Sequence, residues 1–357
     1  MIGCIRGATT CSNEEQDILQ SVCDLFEDIL QKNAVQASQV CCVFVSSTQD
    51  ITKVYPAKGI RRSEHYHNGI ALFSSCEPMI ENSLQGCIRL LVQIQENQKT
   101  TDKDVCKNTV YKHIYHKGAK ILRPDIAYFT IAIDGPSGAG KSTLAKILAG
   151  KLGIPYLDTG AMYRSLAVKL LDEGLYSDAC GLSLAEPPLQ AWLQNTSIEF
   201  VKENDKDKVY LDGQDVTQRI REHHISQIAS AVSANKTVRL SLVEMQRQIA
   251  SKSSCVLDGR DIGTFVLPKA DYKFFVTASV IERAKRRQAQ LKSKGQMVDF
   301  NTLKQDIVQR DFNDSNREFA PLRQAQDAVL IDTTKLSVQK TVEQMMQHIA
   351  VGNPHNV

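Results

Sequence analysis

The chain of 357 residues is long enough for two domains, and its composition excludes several classes of protein. A formal net charge of +3 gives no global argument for binding nucleic acid or a membrane surface. No apolar stretch approaches the roughly 20 residues that span a bilayer, and Arg6 interrupts the region where a signal peptide would be apolar. We therefore expect a cytoplasmic protein whose ten cysteines are reduced thiols.

The first third of the chain predicts an α+β domain. Apolar residues recur at helical spacing from Ile18 to Leu30 and predict one amphipathic helix, with Ser12 and Glu15 forming a capping box at its start. Strands are predicted around this helix, at residues 3–8, 40–46, 69–74, 88–94 and 111–116.

Arginines lie in or beside these strands where apolar residues are expected. Arg6 and Arg89 interrupt two strands, Arg123 follows the last strand, and Arg61 lies in a loop. A single arginine of this kind is more often an edge or snorkelling residue than a ligand. Several together suit a small dianion, because the guanidinium fork matches the geometry of a carboxylate.

The motifs of this region resemble the AroH-type chorismate mutases over residues 1–127. They are IRGATT at 5–10, VYPAKGIR at 54–61, CIR at 87–89 and LRPD at 122–125, in the order and with the spacing of that family. The resemblance implies a cofactor-free rearrangement of chorismate to prephenate. It also implies a homotrimer, built through this domain, with pockets at the subunit contacts.

The resemblance further implies roles for individual residues. Arg6 would hold a substrate carboxylate, Arg89 would donate to the ether oxygen whose bond breaks, and Glu77 would meet the ring hydroxyl. The other pocket residues would be Tyr55, Ala57, Lys58, Arg61, Ser74, Tyr115, Leu122 and Arg123. Ser74 stands where the family usually has a cysteine. An alternative is a domain that binds chorismate or forms trimers without catalysis.

Residues 135–143, GPSGAGKST, predict a phosphate-binding loop. An apolar run at 128–133 precedes the loop and a helix-forming run at 144–149 follows it, which is the arrangement that such a loop requires. Lys141 would approach the β- and γ-phosphates of ATP, and the Ser142 hydroxyl would bind Mg²⁺. The predicted ATP-binding residues are Gly135, Pro136, Ser137, Gly138, Ala139, Gly140, Lys141, Ser142 and Thr143.

The rest of the chain predicts a parallel sheet. Strands at 254–257, 272–277 and 328–331 alternate with helices, which indicates an α/β domain of the nucleoside monophosphate kinase type. Short strands at 197–200 and 208–211, followed by a turn at 212–213, predict a small β insertion.

Further motifs resemble the bacterial cytidylate kinases: LDTGAMYR at 157–164, LDGRDIGTFVLPKA at 257–270, RRQAQLKSKG at 286–295 and RDFNDSNREFAPL at 310–322. The resemblance implies that CMP or dCMP is phosphorylated with ATP and Mg²⁺. The cytosine would be read by Ser230, Arg239 and Asp261, the sugar by Arg310 and Asp314, and the acceptor phosphate by Thr159, Arg164, Arg260 and Arg317. Arg283 and Arg287, at the helix that enters a lid, would contact ATP.

The sequence thus predicts two enzymes in one chain, a mutase over 1–127 and a kinase over 128–357, acting on small molecules and not on nucleic acid or membranes. A kinase acting on shikimate is an alternative, because it would place both halves in one pathway. The β insertion and the motifs around residues 258–261 and 313–317 weigh against it.

Overall fold

The computed structural model describes residues 2–81, 83–95, 111–177, 181–183, 188–203, 206–293, 295 and 297–351. The chain divides into two compact units. The first unit comprises Met1–Tyr128 with Gln344–Val357, and the second comprises Phe129–Glu343. The start of the second unit agrees with the predicted domain boundary to one residue. The segment from Gln344 onward groups with the first unit, because Ala350 packs on the cluster of Ala8 and Ala119.

The first unit contains a mixed sheet with the strand order β3-β2-β4-β1-β5. Its strands are β1 (Ile2–Thr10), β2 (Val40–Ser47), β3 (Ala71–Cys76), β4 (Cys87–Gln95) and β5 (Ile114–Tyr115). Strand β4 is antiparallel to both β1 and β2, while β3 and β5 are parallel to their neighbours. The predicted strand at 111–116 is therefore shorter than expected, and a 3₁₀ helix over Lys117–Leu122 follows it.

One face of this sheet is covered by helix α1 (Glu15–Lys32), on which α2 (Ala57–Ile60) packs. Ile18, Val22 and Phe26 of α1 are fully buried in this core, as the helical spacing predicts. The predicted capping box is wrong: the helix begins after Glu14, so Glu15 lies at its first position instead of its third. The N–H and hydroxyl of Ser12 donate to Asp17 instead.

The other face of the sheet is open in this chain. The cross-strand row of Arg6, Leu91, Phe44 and Phe73 lies on it, and Phe44 and Phe73 are 45% and 62% exposed. Their neighbours along each strand alternate between the two faces, so Val43 and Val45 point to α1 and are buried. A continuous apolar patch beside an arginine is thus available at the surface of the first unit.

The second unit contains a five-stranded parallel sheet with the strand order β15-β14-β6-β13-β7. The strands of the whole second unit, including those outside this sheet, are in chain order β6 (Thr130–Asp134), β7 (Tyr156–Asp158), β8 (Tyr176–Ser177), β9 (Gly181–Leu182), β10 (Ile198–Glu203), β11 (Lys206–Leu211), β12 (Gln214–Asp215), β13 (Cys255–Gly259), β14 (Tyr272–Thr277) and β15 (Val329–Asp332). This confirms the predicted parallel α/β architecture.

The helices of the second unit are α3 (Lys141–Leu152), α4 (Thr159–Asp172), α5 (Pro188–Gln194), α6 (His223–Val232), α7 (Lys236–Ala250), α8 (Val280–Lys292) and α9 (Phe300–Asn316). The last helix, α10 (Val338–Val351), begins in the second unit, and its residues from Gln344 onward belong to the first. Strands β10, β11 and β12 form the predicted β insertion, and the turn between β11 and β12 has positive φ at Asp212 and Gly213. Within the described ranges, no helix is both long and apolar enough to cross a membrane.

Candidate active sites

The first unit brings two of its predicted catalytic residues into contact. Arg89 forms an ion pair with Glu77, and both side chains are partly exposed on the open face of the sheet. The Ser46 hydroxyl donates to the other Glu77 oxygen at 2.6 Å. Ser46 lies directly opposite Arg89 in the register of β2 and β4, so the strand pairing itself assembles this triplet.

Two further arginines converge on the same edge of the sheet. The Arg6 backbone N–H donates to His113 Nδ1 at 3.1 Å, and Arg123 makes a bidentate ion pair with Asp125. Burial, followed by the charges of Arg6 and Arg123, lowers the pKa of His113. Tyr115 lies beside Ala8, which is in turn opposite Arg89. This region therefore carries a cluster of paired charges, in which Arg89 is bound to Glu77 and Arg123 to Asp125. Guanidinium groups of this kind suit an anionic ligand.

The remaining predicted mutase residues lie elsewhere in the unit. Helix α2, which carries Ala57 and Lys58, packs tightly on α1: a Cβ added at Gly59 would lie 2.6 Å from the Leu19 carbonyl oxygen. Tyr55 and Arg61 flank this helix and are exposed. Ser74 pairs with Val45 and so belongs to the row that faces α1, whereas Ser75 shares the row of Ser46. Leu122 packs at the end of the sheet with Ala119.

Sequence reasoning did not find Ser46 or His113. Nothing in the sequence marks either residue as functional, because Ser46 is a serine within an apolar strand and His113 is a histidine directly before a short strand. Their roles depend on which residue lies opposite, since Ser46 acts through the register of β2 on β4 and His113 through its contact with β1. Only the strand pairing, which a single sequence does not give, connects them to Arg89 and Arg6.

In the second unit, residues 135–143 connect β6 to α3 as predicted. Gly135 has φ 145° and leaves no room for a side chain, because an added Cβ would lie 1.9 Å from the Val276 carbonyl oxygen. Gly138 and Gly140 also have positive φ. The Lys141 ammonium donates to the Pro136 carbonyl at 2.8 Å, and burial, followed by the charge of Arg260, lowers its pKa.

An exposed serine and a half-buried tyrosine form a network with a buried aspartate beside the loop. Ser142 Oγ donates to Asp258 Oδ2 at 2.7 Å, and the Tyr156 hydroxyl donates to Asp258 Oδ1 at 2.8 Å. Burial, followed by the charge of Asp158, raises the pKa of Asp258. The hydroxyl and carboxylate oxygens suit Mg²⁺, which prefers oxygen ligands and takes the rest from water and phosphate. Asp258 was not predicted, although an acid ending an apolar strand after a phosphate loop is a usable signal.

The predicted acceptor residues occur as linked pairs. Arg239 and Asp261 form an almost fully buried ion pair of 2.8 Å, with side chains 3% and 6% exposed, and Arg317 lies 3.3 Å from the other Asp261 oxygen. Arg260 binds Asp314 at 2.8 Å. Arg239 also donates to the carbonyl oxygen of Ser233. The hydroxyl of Ser233 in turn donates to the carbonyl oxygen of Ser230, which was predicted to read the cytosine.

Three of the predicted acceptor-phosphate residues, Thr159, Arg164 and Arg260, follow the ends of β7 and β13, whereas Arg317 follows α9. Arg164 binds Asp158 at 2.9 Å, and Thr159 donates to the Asp258 carbonyl at 2.6 Å. Arg310 is buried, and burial with the charge of Arg260 lowers its pKa to about 10. In the described part of the chain its Nε makes no hydrogen bond. A buried guanidinium N–H without an acceptor is the donor that a phosphate oxygen satisfies.

Arg283 has a different environment from the one predicted for an ATP ligand. It is 3% exposed, binds Asp311 through two bonds of 2.6 and 3.0 Å, and donates to the Ala278 and Ser137 carbonyls. Through its bond to the Ser137 carbonyl, Arg283 supports the phosphate loop. Arg287 is less buried and donates to Gln290, and burial lowers its pKa.

Comparison with known proteins finds a matching family for each part of the chain. The family model for cytidylate kinase matches residues 131–351, and the model for chorismate mutase type I matches residues 2–126. The chain belongs to the cytidylate kinase family. Cytidylate kinases of Caldicellulosiruptor saccharolyticus and Alkaliphilus oremlandii are 46% and 48% identical, over 62% and 61% of this chain and 97% and 96% of theirs.

A solved chorismate mutase from Clostridium thermocellum is 28% identical, covers 34% of this chain and 99% of its own, and has a TM-score of 0.29. The chain thus joins a chorismate mutase domain to a cytidylate kinase domain. The two families indicate an isomerase activity and a phosphotransferase activity. Both were predicted from the sequence motifs.

The contacts of Arg283 lead to a prediction about stability. Arg283→Ala leaves Asp311 without its partner and should lower the unfolding free energy of the kinase domain by about 3–5 kcal/mol. Arg287→Ala, the matched control one helical turn away, should change it by less than about 1 kcal/mol. Chemical denaturation of both variants, followed by kinase activity and circular dichroism, measures the difference. Equally small changes in the unfolding free energy of both variants would show that Arg283 does not support the phosphate loop.

Proposed function

We propose that the second unit transfers the γ-phosphoryl group of ATP to CMP or dCMP. The observation that carries this proposal is the convergence of Lys141, Arg260 and Arg310 beside the phosphate loop. Burial lowers the pKa of Lys141 and of Arg310, and the charge of Arg260 lowers both further. Phosphoryl transfer needs little covalent chemistry from a protein and depends on positioning and on neutralising charge. A cluster of buried cations with one unbonded N–H meets that need.

Mg²⁺ would supply neutralisation of the β- and γ-phosphate oxygens when bound with ATP. Ser142 and Asp258 would hold it, since their oxygens lie 2.7 Å apart at the start of α3. Tyr156 keeps the Asp258 carboxylate oriented through its own hydrogen bond. Lys141, at present bonded to the Pro136 carbonyl, is placed to approach the transferred phosphate.

The buried pair of Arg239 and Asp261 supports a pyrimidine base as the acceptor. Cytosine presents an amino donor beside acceptor atoms, and a carboxylate held by two arginines offers both complements at a fixed distance. A shikimate acceptor has no need for this pair, and the family match also favours the nucleotide.

Lys141→Ala should abolish CMP phosphorylation and leave mutase activity within a few-fold, because the lysine neutralises charge only in the kinase site. Lys151→Ala, which removes an exposed lysine from the last turn of the same helix, is the matched control and should retain most kinase activity. Coupled spectrophotometric assays of both reactions on one preparation measure the outcome. Equal loss of both activities in folded protein would contradict independent sites.

We propose that the first unit accelerates the rearrangement of chorismate to prephenate at the open sheet face. This reaction breaks and forms bonds within one molecule and needs no nucleophile, so the protein must hold the substrate folded and place positive charge on the ether oxygen. Arg89 supports this role, because Glu77 and Ser46 fix its guanidinium on the open face. Arg6 adds a second cation two residues along the same face.

Arg89→Ala should lower the mutase kcat by on the order of 10²–10³ and raise KM much less, since its partner gains charge mainly in the transition state. Arg89→Lys should recover little activity, because an ammonium group does not reproduce the guanidinium geometry. Arg62→Ala, an exposed arginine outside the cluster, serves as the control. Direct spectroscopic assay of chorismate disappearance distinguishes these cases. Normal turnover by the lysine variant would reject the assignment, and a wild-type protein without activity would favour a binding module.

We also propose that the first unit forms homotrimers with a pocket shared between chains. The predicted pocket residues fall into two groups on opposite sides of the sheet: Arg6, Glu77 and Arg89 on the open face, and Lys58 and Arg61 at the helix packed on α1. One chain cannot easily close a small pocket from both groups. A second copy placed against the apolar open face would bring its α2 to the Arg89 cluster.

Mixing Arg61→Ala with Arg89→Ala subunits should restore mutase activity, because about a quarter of the interfaces in random mixed trimers regain both arginines. Mixing Arg6→Ala with Arg89→Ala should not restore it, since both residues lie on the open face of one chain. Subunits are unfolded together and refolded before assay, and light scattering gives the mass of the assembly. A fully active monomer would reject both the trimer and the shared pocket.

A further inference from the structure

Asp134 is a buried carboxylate that the proposed mechanism leaves without a role. It is the last residue of β6, directly before Gly135 of the phosphate loop, and is 4% exposed. Its two oxygens accept the backbone N–H groups of Ile262 and Gly263, each at 2.7 Å. Burial raises the pKa of Asp134 to about 7, and the two backbone donors and the charge of Lys141 oppose that rise. A carboxylate buried at this cost has a specific task.

The segment that Asp134 holds is a short π-helical turn over Ile262–Val266. The N–H groups of Phe265 and Val266 both donate to the Asp261 carbonyl. Single turns of π-helix are rare and are frequently found at functional sites. The backbone of this turn also has support from outside the segment.

That support comes from charged side chains of three different elements. Arg247 of α7 donates to the carbonyls of Phe265 and Val266, and Lys273 of β14 donates to the Pro268 carbonyl at 2.6 Å. Both bind near the end of the segment. Asp134 alone among these three binds at its start, immediately after Asp261.

Asp134 is consequently placed to set the position of Asp261. The Asp261 carboxylate pairs with Arg239 and Arg317, and its backbone continues into the two N–H groups that Asp134 accepts. Gly263 permits the close approach, because an added Cβ would lie 3.3 Å from Asp134 Oδ2. Asp134 is also opposite Gly259 in the register of β6 and β13. Strand pairing therefore fixes Asp134 relative to the chain that leads from Gly259 to Asp261.

We propose that Asp134 is a positioning residue for the acceptor nucleotide, which fixes Asp261 relative to the phosphate loop that begins at Gly135. The residue acts through backbone N–H groups and does not touch either substrate. The inference rests on the proposed role of Asp261 in reading the acceptor base.

Asp134→Asn tests this arrangement. An amide retains one acceptor oxygen but turns its NH₂ group toward the second backbone N–H, so one of the two bonds is lost. The KM for CMP should rise about tenfold, and the ratio of kcat/KM for CMP to that for UMP should fall, while the KM for ATP stays within about threefold. Mutase activity of the same chain measures how much intact protein is present.

Asp271→Ala is the matched control. Asp271 Oδ2 accepts the N–H of Thr130 at 2.9 Å, at the opposite end of the same strand β6. This variant loses a comparable carboxylate–backbone bond far from Asp261, so it should lower thermal stability without changing the KM for CMP or the base preference. A purely structural role for Asp134 predicts that the two variants behave alike.

Two outcomes separate this inference from the proposed function. If Asp261→Ala impairs CMP use and Asp134→Asn does not, the positioning role is wrong and the base-reading role stands. If neither variant affects CMP use, the base-reading role itself is wrong. Should Asp134→Asn fail to fold, Gly263→Ala moves the same turn without removing the carboxylate, and an unchanged KM for CMP in that variant overturns the inference.

Discussion

Everything in the kinase unit depends on the meeting of acidic strand ends at one edge of a parallel sheet. Asp134 ends β6, Asp158 ends β7 and Asp258 lies one residue before the end of β13, and the register places Asp258 opposite Asp158. Carboxylates brought together in this way resist ionisation: burial raises the pKa of Asp258, and the charge of Asp158 raises it further. The fold compensates with two backbone N–H groups at Asp134, hydroxyls at Asp258 and an arginine at Asp158.

The same compensation assembles the substrate site. Arg260 lies close enough to Lys141 at this acidic edge to add to the effect of burial in lowering the pKa of that lysine, and it acts in the same way on Arg310 of α9. The cations stabilise the acids in the free protein and become available to phosphate oxygens when nucleotides bind. A parallel sheet brings the carboxyl ends of its strands to one edge for geometrical reasons, which is why the chemistry collects there.

The sequence predicted the phosphate loop between β6 and α3, because the loop is a short, contiguous motif. Roles for Gly135 and Lys141 could be proposed without a structure, since they depend on local backbone geometry. Ser46 and Asp134 could not, because each acts through a residue that only strand pairing or a distant turn brings near. The capping box at Ser12 failed for a related reason: the helix start moved by two residues, and Asp17 provided a better acceptor. A motif identifies a residue but does not show which face of the sheet its side chain lies on, as at Ser74, or which groups it binds, as at Arg283.

In the proposed functions both units bind anions through arginines, but the electrostatic conditions differ, and this difference has a physical consequence. Arg239 and Asp261 are almost completely buried, so their desolvation is completed during folding and their geometry is fixed before a nucleotide arrives. Arg89 and Glu77 remain partly exposed, and water screens their attraction. A site of that kind strengthens only when something excludes the water. A chorismate molecule alone leaves much of an open sheet face wet, whereas a second chain against Phe44 and Phe73 would dry it. The burial of the site and the assembly of the first unit are therefore two aspects of one requirement.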